Sequence, residues 1–175
     1  LNSGGRLGKS SFASELLSSD NINIINNISI ELIKLNNKRK KIETLILNEI
    51  DFHKIESENE NIIIYYNPNI NEGLIGIIAS RLKDYFDKPC VVITESNGIL
   101  KGSARSIYAY NIGHVIKNLF DKNIIINGGG HSMAAGFSLK KNKLETFKDF
   151  ILKDFLNKSI LINHTFSFDA EISSL

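Results

Sequence analysis

Between residues 61 and 156, short apolar runs alternate with segments whose apolar residues recur every three or four positions. That alternation restricts the fold more than any other feature of the chain. "NIIIYY" (61–66), "CVVIT" (90–94), "ILKGSARSI" (99–107), "IIIN" (124–127) and "GFSL" (136–139) have the length of strands, and "ESNG" is a turn. "LIGIIASRLKDYF" (74–86), "NIGHVIKNLF" (111–120) and "KLETFKDFILKDFL" (143–156) carry helical stripes. In the first of these Leu74, Ile78, Leu82 and Tyr85 are expected to face inward. Strands alternating with helices bury their apolar faces as a sheet covered by helices. The expected class is therefore α/β, with a mostly parallel or mixed sheet flanked by helices.

The first third of the chain reads differently. "LNSGGRLGKSS" is a loop rich in Gly and Ser that carries one arginine, and "FASELLSS" is a short helix. Asp20 is placed to cap a longer one. From there to about Glu58, Ile28, Leu32, Leu35, Ile42, Ile46 and Ile50 recur at helical spacing, with "NKRKKIE" as the wet face. This predicts one long connecting helix over 20–60, exposed enough to bridge two bodies. At the other end Phe166, Phe168, Ala170 and Ile172 alternate with polar residues, as in a half-buried strand. The chain opens without Met and that strand has no hairpin partner after it, so an internal piece of a larger protein is expected.

Composition limits the function classes. A 175-residue chain that is 42% hydrophobic can bury a real core, but a net charge of +2 does not announce a nucleic-acid binder, so any anion site must be local. The single cysteine, Cys90, sits in an apolar run and reads as a core residue. It permits no intramolecular disulfide, which fits a reducing compartment. No apolar stretch approaches the ~20 residues of a membrane span. A cytoplasmic protein without membrane association is expected.

"INGGGHSMAAG" (126–136) is the most costly stretch, because Gly loses more conformational freedom on folding than any other residue. Two readings account for it. One is a tight strand-to-helix turn in which His131 only caps. The other is a concavity of backbone N–H groups for an anion, helped by a helical turn beginning in "HSMAAG". "KGSARS" (101–106) strengthens the second, because Arg105 offers a planar fork for phosphate oxygens and Ser103 and Ser106 can donate beside it. His53 and His114 read as surface or packing residues, and His164, before the last strand, carries no signal. No His, Asp or Glu cluster has metal-ligand spacing, and no Ser-His-Asp set or nucleophilic Cys can be assembled. Neither catalytic nor metal-binding residues are expected in this chain; it binds.

The segments "GLIGIIASRL", "KGSARSI" and "NGGGHSMAAGFSL", in that order, resemble the DHH-associated domain of the DHH phosphoesterases. With "LNSGGRLG", the long charged helix and "FDAEI", the chain as a whole is similar to the RecJ family of bacterial single-strand-specific exonucleases. GGGH is common to the superfamily; the flanking order is the more specific signal. The resemblance implies the end of a catalytic DHH domain over 1–19, a connecting helix over 20–60, the associated α/β domain over 61–158, and over 159–175 a linker and the start of an oligonucleotide-binding barrel.

It also implies roles. The family's Asn-x-x-Gly-Arg segment maps onto Asn2, Gly5 and Arg6. Substrate binding would fall to Arg6, Ser103, Arg105, Ser106, Gly128, Gly129, Gly130 and His131. Mn2+ or Mg2+ would be held by Asp and His residues of an upstream catalytic domain that this sequence lacks. The implied activity is metal-assisted hydrolysis of single-stranded DNA from the five-prime end in repair and recombination, alongside single-strand-binding protein and a helicase. Rival readings are a nanoRNase or cyclic-dinucleotide phosphodiesterase of the same superfamily, and a non-catalytic nucleic-acid-binding module like that of alanyl-tRNA synthetases. The sequence departs from the pattern at Asn71–Glu72, where many relatives carry a His-Pro or similar pair, so no role is carried over to that position. "SGG" before Arg6 replaces the commoner "AAG" or "AGG".

Overall fold

The computed structural model describes residues 2–58 and 61–158. The expected strand over 166–172, the barrel entry and His164 lie outside the described residues. In chain order the elements are α1 (Ser3–Arg6), α2 (Ser11–Ser18), α3 (Ile22–Glu49), α4 (Phe52–Glu58), β1 (Ile63–Tyr66), α5 (Ile75–Phe86), β2 (Cys90–Ser96), β3 (Ile99–Arg105), α6 (Ile112–Asp121), β4 (Asn127–His131), β5 (Ala134–Leu139) and α7 (Leu144–Asn157). These strands form one mixed sheet in the order β1-β2-β3-β5-β4. Within it β1 and β2 run parallel and the other pairs are antiparallel. The β2–β3 connection turns on Asn97 and Gly98, both at positive φ, the conformation a two-residue hairpin turn requires.

Two apolar clusters sandwich the sheet. On one face Val91, Ile93, Leu100, Ala104 and Phe137 pack with α6 and α7 residues such as Ile116, Leu119, Phe147 and Ile151. On the other, Ile63, Cys90 and Val92 pack under Ile75, Ile78, Ala79 and Leu82 of α5, with Ile50 and Ile55 at the flank. Helix α5 contacts β2 and β3. The same face of β5 and β4 carries Gly136 and Gly129, which are exposed.

Four expectations need correction. The long helix is two: Ile50 leaves helical geometry (ψ 122°) and turns its side chain into the core, and the Asp51 carboxylate accepts the Lys54 N–H at 3.0 Å to begin α4. The α3 cap is Asn21, whose side chain accepts from Asn23 N–H and Ile24 N–H, not Asp20. Tyr85 is 64% exposed, because the buried stripe of α5 runs through Ile75, Ile78, Ala79, Leu82 and Phe86; Tyr85 leans on Phe52 at its flank, centroids 4.5 Å apart.

The fourth correction concerns the glycines. Ile124–Ile126 precede the strand, and Gly128, Gly129 and Gly130 are themselves β4, joined to β5 by a turn at Ser132–Met133. None of the three has positive φ and no helix follows. Successive N–H groups in a strand point to opposite edges, so the triplet forms no anion-binding nest.

Candidate functional site

Register places the chemistry. Residues paired directly across strands share a face, so three rows cross β3, β5 and β4 on the α5 side of the sheet. They are Arg105–Ala134–His131, Ser103–Gly136–Gly129 and Lys101–Ser138–Asn127. The middle row is a floor with almost no side chain on it: a Cβ on Gly129 would meet nothing within 4 Å. Arg105 and His131 stand two strands apart, roughly 10 Å by strand spacing.

Arg105 is half-buried at the end of β3. Its Nε donates to Ser80 Oγ of α5 at 3.2 Å, and its Nη1 donates to Ser103 Oγ at 3.1 Å and to the Ala104 carbonyl at 2.8 Å. Gly76 makes room for it, since a Cβ there would lie 3.0 Å from Arg105 Nη2 and 3.2 Å from Ser103 Oγ. Nη2 has no hydrogen-bond partner among the described residues, and no carboxylate pairs with the group. Burial, and then the charge of Arg6, lower its pKa from the ordinary arginine value. A guanidinium starts so high that it stays charged.

Arg6 reaches the same place from the other end of the chain. It closes α1, which is seated on α3 by the Ser3 hydroxyl donating to the Leu32 carbonyl at 3.1 Å. The loop before α5 passes so close to Arg6 that a Cβ on Gly73 would collide with its carbonyl. The Asn71 side chain accepts the Gly73 N–H at 2.9 Å and shapes that loop, which is what the departure at 71–72 does here. Arg6 and Arg105 thus repel one another across a cleft of about 810 Å³, and neither is paired among the described residues. Lys101 also lines the cleft, as do Arg39 and Arg81, which share the buried Glu43 carboxylate; the single acid in the lining is Glu72. Like charges left unneutralised together favour an anionic ligand.

His131 is exposed, and its Nδ1 accepts the Met133 N–H at 3.4 Å. In the neutral ring this puts the proton on Nε2, free to donate outward. The remaining predicted residues do other work. Gly128 faces α6, where a Cβ would lie 2.7 Å from Ile116 and 2.8 Å from Ile125. Gly130 lies too close to Ala134 and Ala135 for any side chain. Ser106 is buried, and its hydroxyl donates to the Tyr110 carbonyl at 2.5 Å. The structure therefore gathers Arg6, Ser103, Arg105, Gly129 and His131 on one side of the sheet, sets the exposed Gly128 and Gly130 toward the other, and buries Ser106. Sequence reasoning missed Lys101, Arg39, Arg81, Ser80 and Gly76. The Gly73-x-x-Gly76 spacing at a helix start was the available signal.

Among the described residues no group of three or more His, Cys, Asp or Glu is placed to hold a metal ion, so the side chains present do not fit a metal centre. Among the same residues no helix is long and apolar enough to cross a membrane.

A family model for the DHHA1 domain matches residues 59–157. The single-stranded-DNA-specific exonuclease RecJ of Haemophilus influenzae is 35% identical over 158 residues, covering 86% of this chain and 27% of that protein. RecJ of Bacillus subtilis is 35% identical over 143 residues, covering 80% of the chain and 18% of that protein. The crystal structure of RecJ from Thermus thermophilus in complex with Mn2+ superposes with a TM-score of 0.76 at 25% identity, over 89% of this chain and 23% of that one. The chain spans about a quarter of the length of the Haemophilus relative.

Proposed function

The chain belongs to the DHHA1 domain family, and from that premise we propose that it is the strand-holding part of a RecJ-type exonuclease, which positions single-stranded DNA for hydrolysis from the five-prime end. The observation that carries the reading is the pair of unneutralised arginines, Arg6 from α1 and Arg105 from β3, converging on one cleft beside a floor without side chains. With Arg105 Nε fixed on Ser80 and Nη1 on Ser103, the unpartnered Nη2 is left to donate to a phosphate oxygen. The bare surface over Gly129 and Gly136 lets a sugar or base lie against the backbone. At roughly 10 Å from Arg105, His131 Nε2 would grip a neighbouring group of the strand rather than the same phosphate. Holding a strand in register in this way supplies several kcal/mol of barrier reduction to a reaction carried out next to it.

Within this reading, residues 1–19 end a catalytic domain, residues 20–60 connect it to the domain over 61–158, and residues 159–175 are a linker and the start of an oligonucleotide-binding barrel. The divalent metals belong to a part of the enzyme outside this chain, whose described residues do not fit them. The partners are single-stranded DNA and, in repair and recombination in the cytoplasm, single-strand-binding protein and a helicase.

The test is equilibrium binding of a labelled single-stranded oligonucleotide across a salt series. Each phosphate neutralised adds about 0.7 to the magnitude of the log–log slope. A slope of roughly one to three is expected for the native chain, with about 0.7 lost in Arg105→Ala. Measurable affinity with a slope near zero, or an unchanged slope in Arg105→Ala, overturns the assignment.

A further inference from the structure

Three arginines other than Arg105 line the cleft, and two of them are already engaged. Glu43 of α3 is buried, its side chain 8% exposed, and it accepts from Arg39 Nη1 at 2.7 Å through one oxygen and from Arg81 Nε at 2.8 Å through the other. Arg39 lies one helical turn before Glu43 and is itself only 14% exposed, so that half of the triad is internal to α3. The Arg81 bond spans 38 residues and joins the connecting helix to α5. Arg81 is 59% exposed, and hydrogen bonding and charge from Glu43 hold its pKa above the ordinary arginine value. A buried carboxylate between two arginines is costly to desolvate and is no evidence of added stability. Its two partners both line the anion cleft, and that gives it a different use.

Building on the proposed function, we infer that Glu43 is a positioning residue that withholds Arg81 and Arg39 from the strand, leaving Arg6 and Arg105, with Lys101 beside them, as the cations that grip phosphate. Arg105 lines the cleft from the sheet, whereas Arg81 lines it from the middle of α5. A strand gripped by Arg81 would be drawn toward the helix and bind more tightly in a displaced register. The buried acid prevents that by giving Arg81 a nearer, fixed partner. The same bond ties the connecting helix to the sheet domain, so the orientation of the helix and the selection of the phosphate-binding arginines depend on one carboxylate.

The consequence has a sign that a merely structural ion pair would not produce. Removing the charge with Glu43→Gln keeps an acceptor oxygen and frees Arg81 to engage phosphate. The salt slope should then steepen by about 0.7, and affinity at 0.1 M salt should rise about fivefold, the factor that one added contact of that slope contributes relative to 1 M. Arg81→Gln in the native background should leave the slope unchanged. In the Glu43→Gln background it should remove the gain, an interaction that the double-mutant cycle isolates. Glu43→Asp, which keeps the charge, should behave as native.

The experiment is that cycle, read as oligonucleotide affinity against salt on chains whose folding is checked by circular dichroism, with Arg105→Ala as reference. If Glu43→Gln does not fold, Glu43→Asp and Arg81→Gln still decide the matter: a shallower slope in Arg81→Gln shows Arg81 gripping the strand in the native protein and overturns the inference. Equal or weaker binding by a folded Glu43→Gln overturns it as well. When Arg105→Ala weakens binding and the Glu43 cycle is flat, this inference fails and the functional reading stands. No binding by any variant at low salt overturns both.

Discussion

Gly76→Ala separates fold from binding at a single methyl group. Gly76 is the second residue of α5, where alanine is favoured over glycine by up to about 1 kcal/mol through helix propensity. The added Cβ would stand 3.0 Å from Arg105 Nη2 and 3.2 Å from Ser103 Oγ, closer than ordinary van der Waals contact by a few tenths of an ångström. Nη2 is the end of a flexible side chain, so the guanidinium can yield at little cost to the fold. In yielding it leaves the fork set by Ser80 and Ser103. A charge-assisted hydrogen bond is worth about 1.5–3 kcal/mol, and a displaced one loses part of that. We expect oligonucleotide affinity to fall roughly five- to tenfold, with 1.4 kcal/mol corresponding to tenfold. Thermal unfolding should stay level or rise by a few degrees. Fluorescence anisotropy and a melting curve on the same preparation provide both readings. Unchanged affinity would show that the aim of Arg105 does not matter. A melting temperature lowered by several degrees would show that Gly76 serves packing instead.

Three further outcomes follow from neighbouring geometry. Gly128→Ala should destabilise by about 1–3 kcal/mol through overpacking against Ile116 and Ile125, while Gly129→Ala should melt like the native chain yet bind DNA more weakly; denaturant titration with anisotropy distinguishes the two. Ser106→Ala, which removes a buried hydroxyl bonded to the Tyr110 carbonyl, should cost about 1 kcal/mol of stability and leave the salt slope of binding untouched; a shallower slope would return Ser106 to the site. Burial pushes the Cys90 thiol up to about 12, so its reactive thiolate stays scarce below that value. Iodoacetamide at pH 8 should label Cys90 only in denaturant, and rapid labelling of the folded chain would contradict its burial.

Much of the fold was legible because the buried residues kept their periods. "CVVIT" is buried at every position as the start of β2, and the stripes of α6 and α7 lie where the spacing puts them. The helix break at Ile50 was not legible. In a chain crowded with Ile and Asn, an isoleucine at helical spacing looks the same whether it continues a helix or swings away from it, and only the tertiary pull on Ile50 decides. The strand at 127–131 was missed for a related reason. Glycine disfavours strands, but Phe137 lies between Gly102 and Gly128 and stacks on Phe147 at 4.5 Å, so the packing of that aromatic, rather than local propensity, makes the triplet a strand. Within the site, Arg6 and Arg105 could be named from sequence, whereas Arg39 and Arg81 could not. Arg39 is held by Glu43 one helical turn away, but whether Arg81 is free or held depends on a contact 38 residues apart.

The most direct test of the account is where a strand touches the protein. Backbone amide resonances of the intact chain, followed while a short single-stranded oligonucleotide is titrated at low salt, map the contact residue by residue. Shifts are expected at Arg6, at Gly73–Gly76, and along the rows of Ser103, Gly129 and Gly136 and of Arg105, Ala134 and His131, with α7 and the ion pair of Glu95 in β2 with Lys141, 3.0 Å apart, silent. Shifts confined to α7, or to the α6 side of β4 around Gly128 and Lys117, would contradict it.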